Sequence, residues 1–189
     1  MKKIILASGS PRRRELLKDA GFEFEIIKSN YREDMTLPMD PPELAKHLSR
    51  GKAQEVAQSV LEPALVIAAD TFVVFKGKVI GKPVSKEDAK STLSRLSGNR
   101  HSVITGFTIL DTKTKEIYSE AVECTLFFKE LSQKQIDEYV ASGEPLDKAG
   151  SYAIQGGAKA FVDNIEGDTN SIIGLPMDAL KKALKRFGV

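Results

Sequence analysis

The run LVIAAD at 65–70 constrains the fold most: five consecutive apolar residues, the length of a strand, closed by an aspartate. An unbroken apolar stretch bounded in this way reads as a strand buried inside a sheet rather than on its surface. A second such run, KIILA at 3–7, leads into SGSPRRRELLKDAG, which carries both ends of a helix. Ser10 has the N-cap chemistry, Pro11 fits the first helical position and Gly21 falls just past the end. The chain therefore opens strand, tight turn, helix. A short apolar run, FEFEII, precedes a polar loop, and Pro42 then starts a helical pattern that continues to about Val60. After LVIAAD, the segment TFVVF passes through Lys76-Gly77-Lys78 into VIGKP as a hairpin, and Ser85 with Asp88 forms a capping-box-like start for a helix to about Leu96.

Residues 101–112 and 116–128 are rich in Val, Ile, Thr, Phe and Tyr, and read as two long antiparallel strands, followed by a helix over 132–142. The stretch 143–176 is rich in Gly and Asp, with one short strand candidate near 160–165, and loop-heavy stretches of this kind inside a domain tend to carry function. A last helix is expected over 177–187. Without repeats or linkers, these elements predict one α/β domain with a mixed sheet, spanning residues 1–189.

Composition narrows the function. At 189 residues the chain is long enough to bury roughly 70% of the surface its unfolded form exposes. Its 28 Lys and Arg nearly balance 26 Asp and Glu, and a net charge of +2 argues against stable nucleic-acid binding, which needs a basic face. Cys124 is alone, and His47 and His101 lie outside any zinc-type spacing, so neither a disulfide nor a zinc site is expected. No stretch approaches the length of a membrane span and the opening apolar run is too short for a signal peptide, so the expectation is a cytoplasmic protein with no membrane association.

Four places break local rules. Arg12, Arg13 and Arg14 sit in the first turn of a helix, where each cation opposes the macrodipole by roughly 0.3–1 kcal/mol. An anion bound by the free amides, by Ser8 and Ser10 and by the guanidinium forks would compensate; three solvated arginines are the alternative. Lys52 falls near the middle of the apolar stripe made by Leu44, Ala45, Leu48, Val56 and Val60, so it either snorkels to water or meets a carboxylate or phosphate. Asp70 with Thr71 is expected at the carboxyl end of the most apolar strand, where open α/β sheets bind ligands, so Asp70 is either a metal ligand or general base or only a strand stop. Finally, GKVIGKP at 77–83 has the wrong spacing for a phosphate loop, with Pro83 where a Ser or Thr belongs, so Lys82 either presents a cation at a close-approach turn or simply ends an ordinary hairpin. Glu33 and the loop DKAGSYAIQGG carry weaker signals, although the Gln155 amide suits a base edge.

Taken together, SGSPRRRELL, AADT, GKP, HSVITGF, DKAGSYAIQG and GLP, in this order and over nearly the whole chain, resemble the Maf family of nucleotide pyrophosphatases. The resemblance implies an elongated α/β fold with two lobes around a deep cleft, similar to inosine triphosphate pyrophosphatases. It implies Asp70 as proton acceptor, Glu33 and Asp70 near a Mg²⁺ or Mn²⁺ ion, and Ser8, Arg13, Lys52 and Lys82 around the phosphates of a nucleoside triphosphate. The AIQG signature resembles the branch acting on dTTP and UTP, with Arg12, Thr71 and Gln155 tuning base choice. Modified pyrimidine nucleotides are further substrates to expect, and the long strands are compatible with a homodimer. Members of the family are also linked to septum formation, so the alternative implied is a nucleotide-sensing regulator without turnover. One departure is EGDTNSIIGLP, which has Asn170-Ser171 where Ser-Asn is expected in many relatives.

Overall fold

The computed structural model describes residues 2–189. In chain order its elements are β1 (Lys3–Leu6), α1 (Pro11–Asp19), β2 (Glu25–Ile26), α2 (Pro41–Ala57), β3 (Ala64–Phe75) and β4 (Lys78–Ile80). There follow α3 (Lys86–Leu96), β5 (Arg100–Asp111), β6 (Ile117–Phe128), α4 (Gln133–Ala141), β7 (Val162–Glu166), α5 (Thr169–Ile173) and α6 (Met177–Leu184). Short 3₁₀ turns fill Glu144–Asp147, Ala149–Ser151, Gly157–Phe161 and Lys185–Phe187. Local signals set most helix ends. The Ser10 and Ser85 hydroxyls accept from the amides of Arg13 and Asp88, and Ser132 and Gln135 form a reciprocal capping box on α4. Gly21 takes φ +81° just past α1.

The seven strands make one mixed sheet of order β2-β1-β3-β5-β6-β7, with β4 also on β3. β1 is parallel to β3 and the other pairings of β3, β5 and β6 are antiparallel. Alternation along β3 sorts the core onto two faces. Val66, Ala68, Phe72 and Val74 pack under α2 with Leu44, Leu48, Ala53 and Val56. On the opposite face, Leu65, Ile67 and Ala69 pack with Leu17 of α1 and with α6, whereas Val73 and Phe75 pack with α3 and α4. The two groups on that face are separate clusters, divided where β3 and β5 place the paired Thr71 and Thr105.

Three expectations need correction. Asp70 does not end its strand: LVIAAD and TFVVF are one twelve-residue strand, because β5 pairs with it from Leu65 to Val74. α2 stops at Ala57 rather than Val60, and the last helix turns 3₁₀ after Leu184. α5, inside the glycine-rich stretch, is a helix that the sequence pattern does not announce.

Candidate active site

One edge of β3 changes partner along its length, and this makes the site. β1 pairs with Ala64–Ile67 and β4 with Val73–Phe75, on the edge opposite β5, so residues 68–72 face no strand on that side. At one end of the gap the chain leaves β1 through Ser8 into α1; at the other it leaves β4 through Gly81 and Lys82. An open sheet edge exposes side chains of both faces to one space, so Asp70, on the α2 side, and Thr71, on the other, line the same cavity of about 740 Å³.

On the α2 side, Lys52 is buried and its ammonium binds Asp70 Oδ1, with Glu33 Oε1 at 2.6 Å. An uncompensated ammonium on a buried helix face would be expensive, so the two carboxylates explain why a lysine stands in this stripe. Burial pushes the Asp70 carboxyl up from its ordinary range; Lys52 pulls it down, Glu33 adds to the rise and Arg13 opposes it. Lys52 takes Oδ1 and leaves Oδ2 free as an acceptor.

On the other face, Arg13 is fixed at three points. Its Nε donates to the Gly174 carbonyl at 2.8 Å, and its two terminal nitrogens donate to Ser8 Oγ at 3.3 Å and Thr71 Oγ1 at 3.1 Å. Beneath it, Thr71 Oγ1 lies 2.8 Å from Thr105 Oγ1, which donates to the Ser171 carbonyl at 2.7 Å. Ser8 Oγ also accepts from the Ser10 amide at 3.2 Å, so its own hydrogen is left for a ligand.

Of the residues singled out in the sequence, Ser8, Arg12, Arg13, Glu33, Lys52, Asp70, Thr71, Lys82 and Gln155 line this single cavity. Arg14 does not; it is exposed, so one of the three arginines is solvated. Lys28 and Lys148 line the cavity as well, and sequence reasoning missed both. Lys148 stood unnamed inside the DKAGSYAIQGG loop, and Lys28 follows β2, whose parallel pairing with β1 brings it out of the sheet at the same end as Ser8. Six cationic side chains against three carboxylates, Glu33, Asp70 and Asp147, leave more positive charge here than the +2 of the whole chain. Such an excess in a concavity selects polyanions.

Among the described residues, no group of three or more His, Cys, Asp or Glu side chains is placed to hold a metal ion unaided. The cavity offers two hard carboxylates, Glu33 and Asp70, converging on one cation, the Lys52 ammonium. That donor set fits Mg²⁺ or Mn²⁺ sharing its coordination with phosphate oxygens and water; it does not make an all-protein cage. Among the described residues no helix is long and apolar enough to cross a membrane.

Fold and site together define an α/β protein with a cationic cleft at a split sheet edge and a buried carboxylate at its floor. The chain belongs to the Maf family: the model described as "Maf-like protein" matches residues 3–187. It is 44% identical, over all of its length and 98% of the relative's, to a dTTP/UTP pyrophosphatase of Pelotomaculum thermopropionicum. It is 47% identical to another, of Clostridium perfringens, covering 99% of this chain and 98% of the relative. Among solved structures, the Ham1 protein of Staphylococcus aureus aligns with 97% of this chain and 98% of its own, at 13% identity and a TM-score of 0.49.

Proposed function

We infer that the protein hydrolyses nucleoside triphosphates, dTTP and UTP foremost, to the monophosphate and pyrophosphate. The observation that carries the reading is the convergence of Arg13, Lys52, Lys82 and Asp70 on one cavity with an excess of positive charge. The activity named for its full-length relatives agrees with it.

In this reading Ser8, Arg13 and Lys82 hold the triphosphate, Arg13 being pre-set by its bonds to Gly174, Ser8 and Thr71, so that little ordering remains to be done on binding. Asp70 accepts the proton of the attacking water at Oδ2, since Oδ1 is held by Lys52. A burial-raised carboxyl is a stronger base once ionised, which suits that task. Attack at the α phosphorus makes pyrophosphate the leaving group, and the cations around the cavity stabilise the charge that develops there. Glu33 and Asp70 are the residues that would hold Mg²⁺ or Mn²⁺, which when bound neutralises phosphate charge and polarises the phosphoryl oxygens. The exposed Gln155, with donor and acceptor side by side, matches the O4/N3–H edge of thymine or uracil, and Arg12 and Thr71, which line the same cavity, join it in tuning base choice.

A panel of triphosphates incubated with each metal, with pyrophosphate resolved from phosphate, tests this. Pyrophosphate should form fastest from dTTP and UTP, and inorganic phosphate as the sole product from every nucleotide would overturn it. Asp70→Asn should lower kcat by about 10²–10⁴. A sensor without turnover would show no pyrophosphate release for that substitution to abolish.

A further inference from the structure

Gln155 reaches the cavity from a turn whose anchoring lies outside the site. The Gly156 amide donates to the Ala153 carbonyl at 3.1 Å, which makes Ile154 and Gln155 the two central residues of a β-turn. Backbone donors on both flanks are held by side chains from α4 and the turn after it. The Ala153 amide donates to the Tyr139 hydroxyl at 3.1 Å, and the Gly157 amide donates to Glu144 Oε2 at 3.0 Å. Tyr139 in turn donates to Glu144 Oε1 at 3.2 Å, so hydroxyl and carboxylate form one clamp across residues 153–157. Burial raises the Tyr139 pKa and keeps its hydroxyl a donor. The carboxylate also fills the space beside Gly156: a side chain at that position would overlap the Glu144 carboxylate, so the glycine after Gln155 is required by the clamp.

These contacts hold neither phosphate nor metal, and the hydrolytic machinery does not use them. We propose that Glu144, acting with Tyr139, is a positioning residue for base selection: it fixes the 153–157 turn so that the Gln155 amide meets the base edge at a set place. The proposal rests on the reading of Gln155 as the base-recognising group. A turn held in advance spares the ordering entropy that a loose one would lose on binding. A base contact is made equally in the ground and transition states, so loosening it raises KM more than it lowers kcat.

The test is a double-mutant cycle of Glu144→Ala and Gln155→Ala, with kcat and KM measured on dTTP, UTP and two purine triphosphates. Glu144→Ala should raise KM for dTTP and UTP about tenfold with a smaller change in kcat, and lower the preference for pyrimidines by a similar factor. The double variant should be no worse than Gln155→Ala, since one residue acts through the other. Glu144→Gln, which keeps an oxygen for the Gly157 amide and offers its NH₂ to Tyr139, should recover most of the preference. Tyr139→Phe supplies a second way to open the clamp, and melting curves establish that each variant is folded. A purely structural role would lower stability and leave the nucleotide preference untouched, which overturns the proposal, as would additive effects of the two alanines. Silence of Gln155→Ala itself would sink the reading of the base site and the clamp with it, so the two failures are distinguishable.

Discussion

The direction of the hydroxyl chain under Arg13 follows from counting hydrogens. Thr105 gives its only one to the Ser171 carbonyl, so Thr71 must donate to Thr105 and is thereby left to accept from Arg13. Thr105→Val keeps the shape but strips a buried carbonyl and the half-buried Thr71 hydroxyl of their partner, and should cost about 1–3 kcal/mol. Urea denaturation measures this, and Thr105→Ser should recover most of the loss; a Thr105→Val midpoint equal to the parent's would mean that the chain stabilises nothing. At this scale the sequence was informative in proportion to how far a residue broke a local rule. Lys52 violates its own helical stripe and Arg13 its own dipole, so both were visible. Thr105 is an ordinary β-branched residue in an ordinary strand, and Glu33 an acidic residue in a loop, where such residues are usually solvated. Glu33 gave only a weak signal until the family resemblance gave it a role, and Thr105 was not singled out within HSVITGF, because their roles exist only once β3, β5 and the loop before α2 are assembled.

Among the elements, α2 is tightly constrained, because it packs on one face of the sheet and carries Lys52. Gly106, the register partner of Asp70 on β5, lets it come close: a Cβ at 106 would overlap the backbone of Ala45 and lie 2.7 Å from the Lys46 nitrogen. No rotamer change relieves a contact with main chain, so Gly106→Ala must push α2 off the sheet. The expected cost is about 3 kcal/mol, near the top of the range for overpacking, or roughly 6–12 °C in Tm for a chain of this size. The same shift displaces Lys52 from Asp70, so activity should fall further than in a surface Gly→Ala variant of equal stability, and calorimetry beside the pyrophosphate assay reads both. Helix ends that depend on neighbours in sequence, such as Ser10 with Pro11 or Ser132 with Gln135, were legible because capping is a local bond. The continuation of β3 through Asp70 was not, since it depends on unbroken pairing with β5, a strand distant in sequence, which no periodicity records. α5 was hidden for a related reason: it is five residues long, started by Asp168 and ended at Gly174, and packs on the β5–β6 region through long-range contacts.

For the molecule as a whole, His101 sets the response to mild acid. It is 3% exposed and sits edge-on to Phe128 and Tyr152; Nε2 meets the Tyr152 hydroxyl at 2.8 Å and Nδ1 has no partner among the described residues. Burial lowers its pKa to about 4, only partly offset by the influence of the nearby Asn99 backbone. The unfolded chain takes up a proton near pH 6.5, while the folded chain resists until about 4, so between these values the unfolded state binds more protons and stability is lost as the pH falls. Across that window the loss from this one ring amounts to about 3 kcal/mol. Asp70 acts in the opposite sense, since its raised carboxyl takes up a proton more readily in the folded state. The lowered carboxyls of Asp111, Asp137 and Asp147 lose their contribution only below the ordinary carboxylate range. A comparison with His101→Phe isolates the histidine, because the phenyl ring suits the same aromatic cluster and the unpaired Tyr152 hydroxyl costs the same at both pH values. Urea unfolding at pH 7 and at pH 4 should show the parent losing about 3 kcal/mol more than the variant. Equal losses in the two would mean that His101 is charged in the folded core, and that the cluster around it admits water or a counter-charge absent from these contacts.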